Sequence, residues 1–167
     1  MIDNMIEILL TQNKIALIDN EDYQIVINHK WCAYREPRMF NNWYAATNVR
    51  TSKGKYRSVS MHRLILGDCC EGMTVDHINH NGLDNRRSNL RIATASQQQQ
   101  NRKQTKGYSR FKGVTWNKNA WAARIKHNGK EYHLGRFKNE EDAARQYNYF
   151  ANLYFGEYAY LNKVEER

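Results

Sequence analysis

Val75-Asp76-His77-Ile78-Asn79-His80-Asn81-Gly82-Leu83-Asp84-Asn85-Arg86-Arg87-Ser88-Asn89-Leu90-Arg91, in the middle of the 167-residue chain, is dense in His, Asp and Asn and holds no long apolar run. Such a block suits a site-bearing loop structure better than a core element. Within it Asp76 and His77 are adjacent, Asn89 follows the histidine by twelve residues, and an amide-rich tract with Gln98 lies nine residues further on. Carboxylate and carboxamide oxygens suit Mg²⁺ or Mn²⁺, and an imidazole titrating near neutrality suits a general base. Phosphodiester cleavage needs both. Neighbours in an extended segment face opposite sides, so Asp76 and His77 reach one phosphate only if the chain turns, which Asn79 to Gly82 encourages. Taken alone, an Asp-His pair reads as an ordinary surface pair.

Upstream, residues 1 to about 60 read as short strands separated by polar breaks: Ile6 to Leu10, Lys14 to Ile18, Trp31 to Arg35, Tyr44 to Val49 and Tyr56 to Leu66. A helical turn fits Glu21 to Lys30, where Tyr23, Val26 and Ile27 share a face. Downstream, Gln97 to Gln100 follow Leu90, Ile92 and Ala95, so a helix is expected from near Thr94 or Ser96. The polar, basic run from Lys103 to Gly107 reads as a linker.

The last unit has the clearest local signals. Asn128-Gly129 is a two-residue hairpin turn, and pairing outward from it sets Ile125 against Tyr132 and Ala123 against Leu134 on an apolar face. Arg124 against His133 and Lys126 against Glu131 then form a polar, mostly basic face. Phe111 to Trp116 supplies a third strand. Asn139 and the acidic Glu140, Glu141 and Asp142 start a helix, its apolar positions Ala143, Ala144, Tyr147, Phe150, Ala151 and Tyr154 recur at helical spacing, and Gly156 ends it. Trp121 alternates with Ala123 and Ile125 and so belongs to the core; Trp116 fits either face. The expected class is α+β: a β-rich N-terminal region bearing the site, then a three-stranded antiparallel sheet packed on one helix.

The net charge of +9 is regional. From Arg86 to Lys138 there are fourteen Lys and Arg against one acid, Glu131, while the rest of the chain holds twelve basic and sixteen acidic residues. That segment, interleaved with Tyr108, Phe111, Trp116 and Trp121, reads as a polyanion-binding surface. No apolar run approaches the roughly twenty residues of a membrane span, and Asp3 and Glu7 do not suit a basic signal start. A soluble cytoplasmic protein is expected. Cys32, Cys69 and Cys70 form no C-x-x-C pair and read as reduced thiols.

Met61-His62-Arg63-Leu64-Ile65-Leu66-Gly67, Val75-Asp76-His77-Ile78-Asn79 and Leu83-Asp84-Asn85-Arg86-Arg87-Ser88-Asn89-Leu90-Arg91 closely resemble the HNH homing endonucleases of phages and mobile introns. The similarity covers residues 1–102, with the ββα-metal motif at about 61–102. It implies that His77 ends the first strand of a hairpin, Asn89 lies beyond it, and the following helix brings back the last ligand. The resemblance makes Asp76 a metal ligand, His77 the general base and Asn89 the residue that orients it. It also implies one divalent ion and products with 5′-phosphate and 3′-hydroxyl ends. Where the family usually places a second ligand Asn or His, Gln98 stands here, with the same carboxamide oxygen on a stem one methylene longer.

Beyond a linker at 103–107, residues 108–162 resemble the plant APETALA and ethylene-response-factor DNA-binding domain. The matching pieces are Phe111-Lys112-Gly113-Val114, Trp121-Ala122-Ala123-Arg124-Ile125, His133-Leu134-Gly135-Arg136-Phe137, Glu141-Asp142-Ala143-Ala144 and Leu161-Asn162. Such domains lay a sheet in the major groove. The positions matching that contact face are Lys112, Thr115, Asn117, Arg124, Lys126, Glu131 and His133; Thr115 and Glu131 replace family arginines, so base preference does not carry over. Duplex DNA is the expected partner, and no obligate protein partner is evident.

Other histidines have plainer readings. His62, within an expected strand from Val59 to Leu66, reads as a hydrogen-bonded structural residue, and His80 as an exposed loop residue. His29, His127 and His133 carry no catalytic signal. The alternative to an endonuclease is a non-catalytic DNA-binding regulator with a site silenced at Gln98. An RNA-binding structural role is disfavoured, since A-form grooves do not admit such a sheet.

Overall fold

The computed structural model describes residues 5–35, 42–67, 72–103 and 107–165. Asp3, Cys69, Cys70 and linker positions 104–106 lie outside the described residues. The chain divides into two compact units, Met1–Ala95 and Ser96–Arg167. Both are α+β in character: among the described residues the first holds three small antiparallel sheets, the second one three-stranded antiparallel sheet, and each has few helices. No helix among the described residues is long and apolar enough to cross a membrane.

In the first unit β1 (Met5–Leu9) and β2 (Ile15–Asp19) form a hairpin, followed by a single helical turn, α1 (Tyr23–Val26). Val26 is buried, whereas Ile27, expected on the same face, is 49% exposed, because the helix stops before it. A three-stranded sheet, β3 (Cys32–Arg35), β4 (Trp43–Arg50) and β5 (Tyr56–Ser60), follows. The core gathers Ile8, Ala16, Ile18, Val26, Trp31, Ala45, Met61, Ile65, Val75 and Leu90.

The expected strand from Tyr56 to Leu66 is two elements. It pairs only as far as Ser60, and Met61–Leu66 is a helix, α2. Met61, His62 and Ile65 are all buried, a pattern that one helix face can hold but one strand face cannot, since adjacent strand residues point to opposite sides. Gly67, at φ 75°, ends the helix in a conformation that side chains rarely adopt. His62 therefore sits on a helix, not on a strand.

Two short strands then carry the polar motif: β6 (Met73–His77) and β7 (Leu90–Thr94), antiparallel, with Asp76 directly across from Arg91 and His77 across from Leu90. The long loop between them is fastened to β2. Leu17 N–H donates to the Leu83 carbonyl at 2.8 Å, and Asn85 N–H donates to the Leu17 carbonyl at 2.8 Å.

α3 (Ala95–Asn101) follows β7 directly in the chain, and from Ser96 on it belongs to the second unit. β8 (Val114–Asn117), β9 (Ala120–His127) and β10 (Lys130–Phe137) form an antiparallel sheet that packs on α4 (Glu140–Phe155). The third strand begins at Val114, not Phe111, because residues 109–113 are bends and turns and Gly113 takes φ 75°. Near the turn the register is the expected one: Lys126 with Glu131, Ile125 with Tyr132 and Arg124 with His133. Beyond it a bulge between His133 and Gly135 sets Ala123 against Gly135, not Leu134. The core under α4 is built from small residues, with Ala123, Ala143, Ala144 and Ala151 all fully buried. Asn162 locks the C-terminal segment on. It accepts from Lys112 N–H at 2.7 Å and donates to the Lys112 carbonyl at 3.0 Å, while Asn148 holds its backbone from the other side.

Candidate active site

At the C-terminal end of β6, Asp76 and His77 are both buried, at 7% and 6% exposure. A buried carboxylate needs a compensating charge or strong donors. Arg91, opposite Asp76 on β7, supplies them: its Nε and Nη2 donate to Asp76 Oδ2 at 3.1 and 2.8 Å. Cross-strand pairing places the two charges together without help from any loop.

His77 lies in a nest of rings. The ring of His62, from the first turn of α2, stands perpendicular to it at 5.0 Å between centroids, and Tyr44 of β4 meets both histidines edge-on, at 5.8 Å from His77 and 6.2 Å from His62. Gly82 makes room for this arrangement. A methyl group there would come within 2.5 Å of the Tyr44 ring and of the Trp43 carbonyl. Burial holds the His77 pKa below the usual imidazole value, against the upward pull of Asn85, Asp76 and Asp84, so the ring is neutral at physiological pH. His62 is driven further, to about 3, by burial first and then by His77 and Arg63. Its Nδ1 is buried without a hydrogen-bond partner among the described residues, which does not fit the hydrogen-bonded role read from the sequence.

The loop after β6 is a polar scaffold. His80, at φ 64°, turns the chain, and its N–H donates to the His77 carbonyl at 3.1 Å. Asp84, 2% exposed, accepts two bonds from Arg86, at 2.8 and 2.7 Å, and one from Asn79 at 2.8 Å. The Arg86 bonds hold its carboxyl below the ordinary aspartate range. Asn89 is buried: its Oδ1 accepts from Asn79 N–H at 2.9 Å and its Nδ2 donates to the Asp84 carbonyl at 2.7 Å. The amide within reach of the His77 ring is that of Asn85, whose Oδ1 is 3.3 Å from His77 Nε2. From the sequence Asn85, Tyr44 and Arg91 carried no assigned role, and His62 only a structural one. Only the motif spacing pointed near them.

Arg87, in a run that reads as basic surface, is structural. Its guanidinium binds the fully buried Asp22 at 2.7 to 3.2 Å, and its backbone N–H donates to Asp19 at 2.7 Å.

For a metal ion the donor chemistry is suitable. Asp76, at the end of β6 in the first unit, is a buried hard oxygen donor; Gln98, to which the resemblance gives the second ligand, lies half-buried on α3 in the second unit. Among the described residues no group of three or more His, Cys, Asp or Glu is placed to hold a metal. An ion at Asp76 would take most of its ligands from water, as Mg²⁺ commonly does.

On the second unit, Lys126 and His133 are exposed and Thr115, Asn117 and Arg124 half-exposed. Arg124 pairs with Glu131 at 3.2 Å. Lys112 differs from them. Its ammonium is turned to the carbonyls of Gln99 and Gln100 at the end of α3 and lies over the Tyr160 ring, and burial lowers its pKa to about 8. Trp121 packs with the core, and Trp116 is 44% exposed against its edge.

Residues 56–100, which contain α2, both site strands and most of α3, match the HNH endonuclease family. A relative in Acanthamoeba polyphaga mimivirus, described as an uncharacterized HNH endonuclease, is 34% identical over 129 residues, covering 74% of this chain and 67% of the relative. No solved structure matches.

Proposed function

The chain belongs to the HNH endonuclease family, and on that premise we propose that it is a divalent-metal-dependent endonuclease of homing type that hydrolyses phosphodiester bonds in duplex DNA. The observation that carries this reading is the buried, adjacent pair Asp76 and His77 at the end of β6, with the imidazole held neutral by burial. A neutral imidazole has a lone pair to take a proton from water as the water attacks phosphorus. The bond broken is the one to the 3′ oxygen, leaving 5′-phosphate and 3′-hydroxyl ends. Asp76 and Gln98 would hold the ion, Mg²⁺ or Mn²⁺, which when bound stabilises charge on the phosphate and leaving oxygen. In this reading Arg91 neutralises Asp76 until the ion does so. Asn89 serves the base indirectly, by pinning Asn79 and Asp84 in the loop behind it.

Residues 108–162 are the DNA-holding module in this proposal, of the ethylene-response-factor kind, joined through a linker at 103–107. Thr115, Asn117, Arg124, Lys126 and His133 lie on the sheet's polar face, opposite the face that packs on α4, which supports the reading. Lys112 is the weakest of the set, since its ammonium is engaged within the unit. The protein acts in the cytoplasm of the cell that expresses it.

Supercoiled plasmid incubated with Mg²⁺ or Mn²⁺ tests the proposal: conversion to nicked or linear DNA by the wild type and not by His77→Ala is expected. Gln98→Ala should raise the metal concentration required, while Gln98→Asn should preserve or raise activity. The second reading, a silenced DNA-binding regulator, is favoured by the Arg91 ion pair on Asp76 and by the glutamine at 98. Intact plasmid at every metal concentration, with DNA still bound, would establish it.

A further inference from the structure

We infer that Asn85 is a positioning residue that decides which ring nitrogen of His77 takes the proton from water. The inference rests on the reading of His77 as general base. Asn85 has no exposed surface, and its backbone is fixed by the bond from its N–H to the Leu17 carbonyl at 2.8 Å. A buried side-chain amide so anchored has little freedom except to exchange its oxygen and nitrogen by a flip, and the neighbours decide that. Asn85 Nδ2 is 3.2 Å from the Leu83 carbonyl. A carbonyl only accepts, so the amide nitrogen belongs on that side and Oδ1 faces His77 Nε2, at 3.3 Å. The flipped amide would set oxygen against oxygen at Leu83.

An amide oxygen likewise only accepts. The ring nitrogen facing it must therefore carry the hydrogen, and in a neutral imidazole the lone pair is then on Nδ1. Asn85 selects this tautomer and fixes the plane of the ring, as the third member of a nucleophile–base–orienter set does. Asn89, the residue to which the family resemblance gives that task, has its oxygen and nitrogen engaged by Asn79 N–H and the Asp84 carbonyl. The two asparagines divide the work: Asn89 shapes the loop and Asn85 sets the ring.

The test is ¹⁵N NMR of imidazole-labelled full-length protein at about pH 8, where histidine rings are neutral, with His77→Ala used to assign the signals. The expected form for His77 is Nε2–H; an Nδ1–H ring in the wild type overturns the inference. In Asn85→Leu, which keeps the branched shape and removes the acceptor, the kcat of plasmid nicking should fall about 10- to 100-fold, the size of loss seen when the hydrogen-bond partner that orients a metal-bound histidine is removed. DNA affinity measured in EDTA should be unchanged. Asn85→Asp keeps an acceptor towards Nε2 and should recover most of the rate. Wild-type kcat in a folded Asn85→Leu, or equal losses in both folded variants, overturns it. Should Asn85→Leu fail to fold, the wild-type tautomer and Asn85→Asp still decide. A wild type that cleaves no DNA would remove the nuclease reading, while the tautomer measured in the same protein would still settle which nitrogen Asn85 faces.

Discussion

The two units use polar residues in opposite ways. In the first, Asp22, Asp76, His77, Asp84, Asn85 and Asn89 are all buried with named partners, and only the buried His62 Nδ1 among the described site residues lacks a hydrogen bond. In the second, the buried polar residues Asn101, Ser109 and Asn162 are uncharged, the rest of the core is apolar, dominated by alanines and aromatic rings, and the charged residues of the sheet lie on its outer face. A buried polar network is expensive unless every member is satisfied. A unit that carries one is organised around a site. A unit that keeps its charges outside presents a surface. The contrast also warns against reading a motif by composition, because Arg86, Arg87 and Arg91 look like phosphate contacts and are instead counter-charges to Asp84, Asp22 and Asp76.

The contrast can be broken most sharply at His77. Loss of a general base costs on the order of 10² to 10⁴ in rate, so His77→Ala should abolish nicking in a plasmid assay, with DNA affinity retained. Cleavage at the wild-type rate would remove the base from this position.

Stability should divide along the same line. Arg87→Ala leaves Asp22 as a buried charge that has lost its main partner, a change that costs about 3 to 5 kcal/mol. Arg110→Ala removes a surface pair to Glu141 on the second unit, where the cost is about 0 to 1 kcal/mol. Urea denaturation of both variants measures the difference, and equal small losses would mean that the buried network is no more important than the surface.

A third expectation concerns acid. His62 titrates at 6.5 when unfolded and at about 3 when folded, so between those values the unfolded chain binds the extra proton. Stability should be full above pH 6.5 and fall as the pH is lowered towards about 3. His62→Phe keeps a ring beside His77 but cannot charge. Thermal melts of the variant should show a flatter acid limb, and an unchanged limb would show that His62 is not the group responsible.

The smallest effect distinguishes two lysines of the second unit. Each phosphate contact adds roughly 0.9 to the slope of log affinity against log salt. Lys126→Ala should lower that slope by about 1, while Lys112→Ala, whose ammonium is already bound to backbone carbonyls, should leave it nearly unchanged. The reverse order would move the DNA contact to Lys112.

Much of this was legible in the order of residues. Asn128-Gly129 and the alternation beside it announced the hairpin, and the spacing of Ala143, Ala144, Tyr147 and Ala151 announced the helix, because turn conformation and amphipathic period act over a few residues. The Asp76-His77 motif pointed, for the same local reason, to the loop that holds the buried Asp84, Asn85 and Asn89. Tertiary structure decided the rest. That Met61 to Leu66 is a helix depends on a core assembled from β1, β2 and α1. The Asp76–Arg91 pair depends on a register set fifteen residues away, and the Arg87–Asp22 pair on a contact across sixty-five. Asn85 and Asn89 are indistinguishable as letters. Their roles separate only because the Leu17 and Leu83 carbonyls anchor one amide beside His77, while Asn79 and Asp84 engage the other. A hydrogen bond is short and directional, so its partner is chosen by the packed geometry and not by distance along the chain.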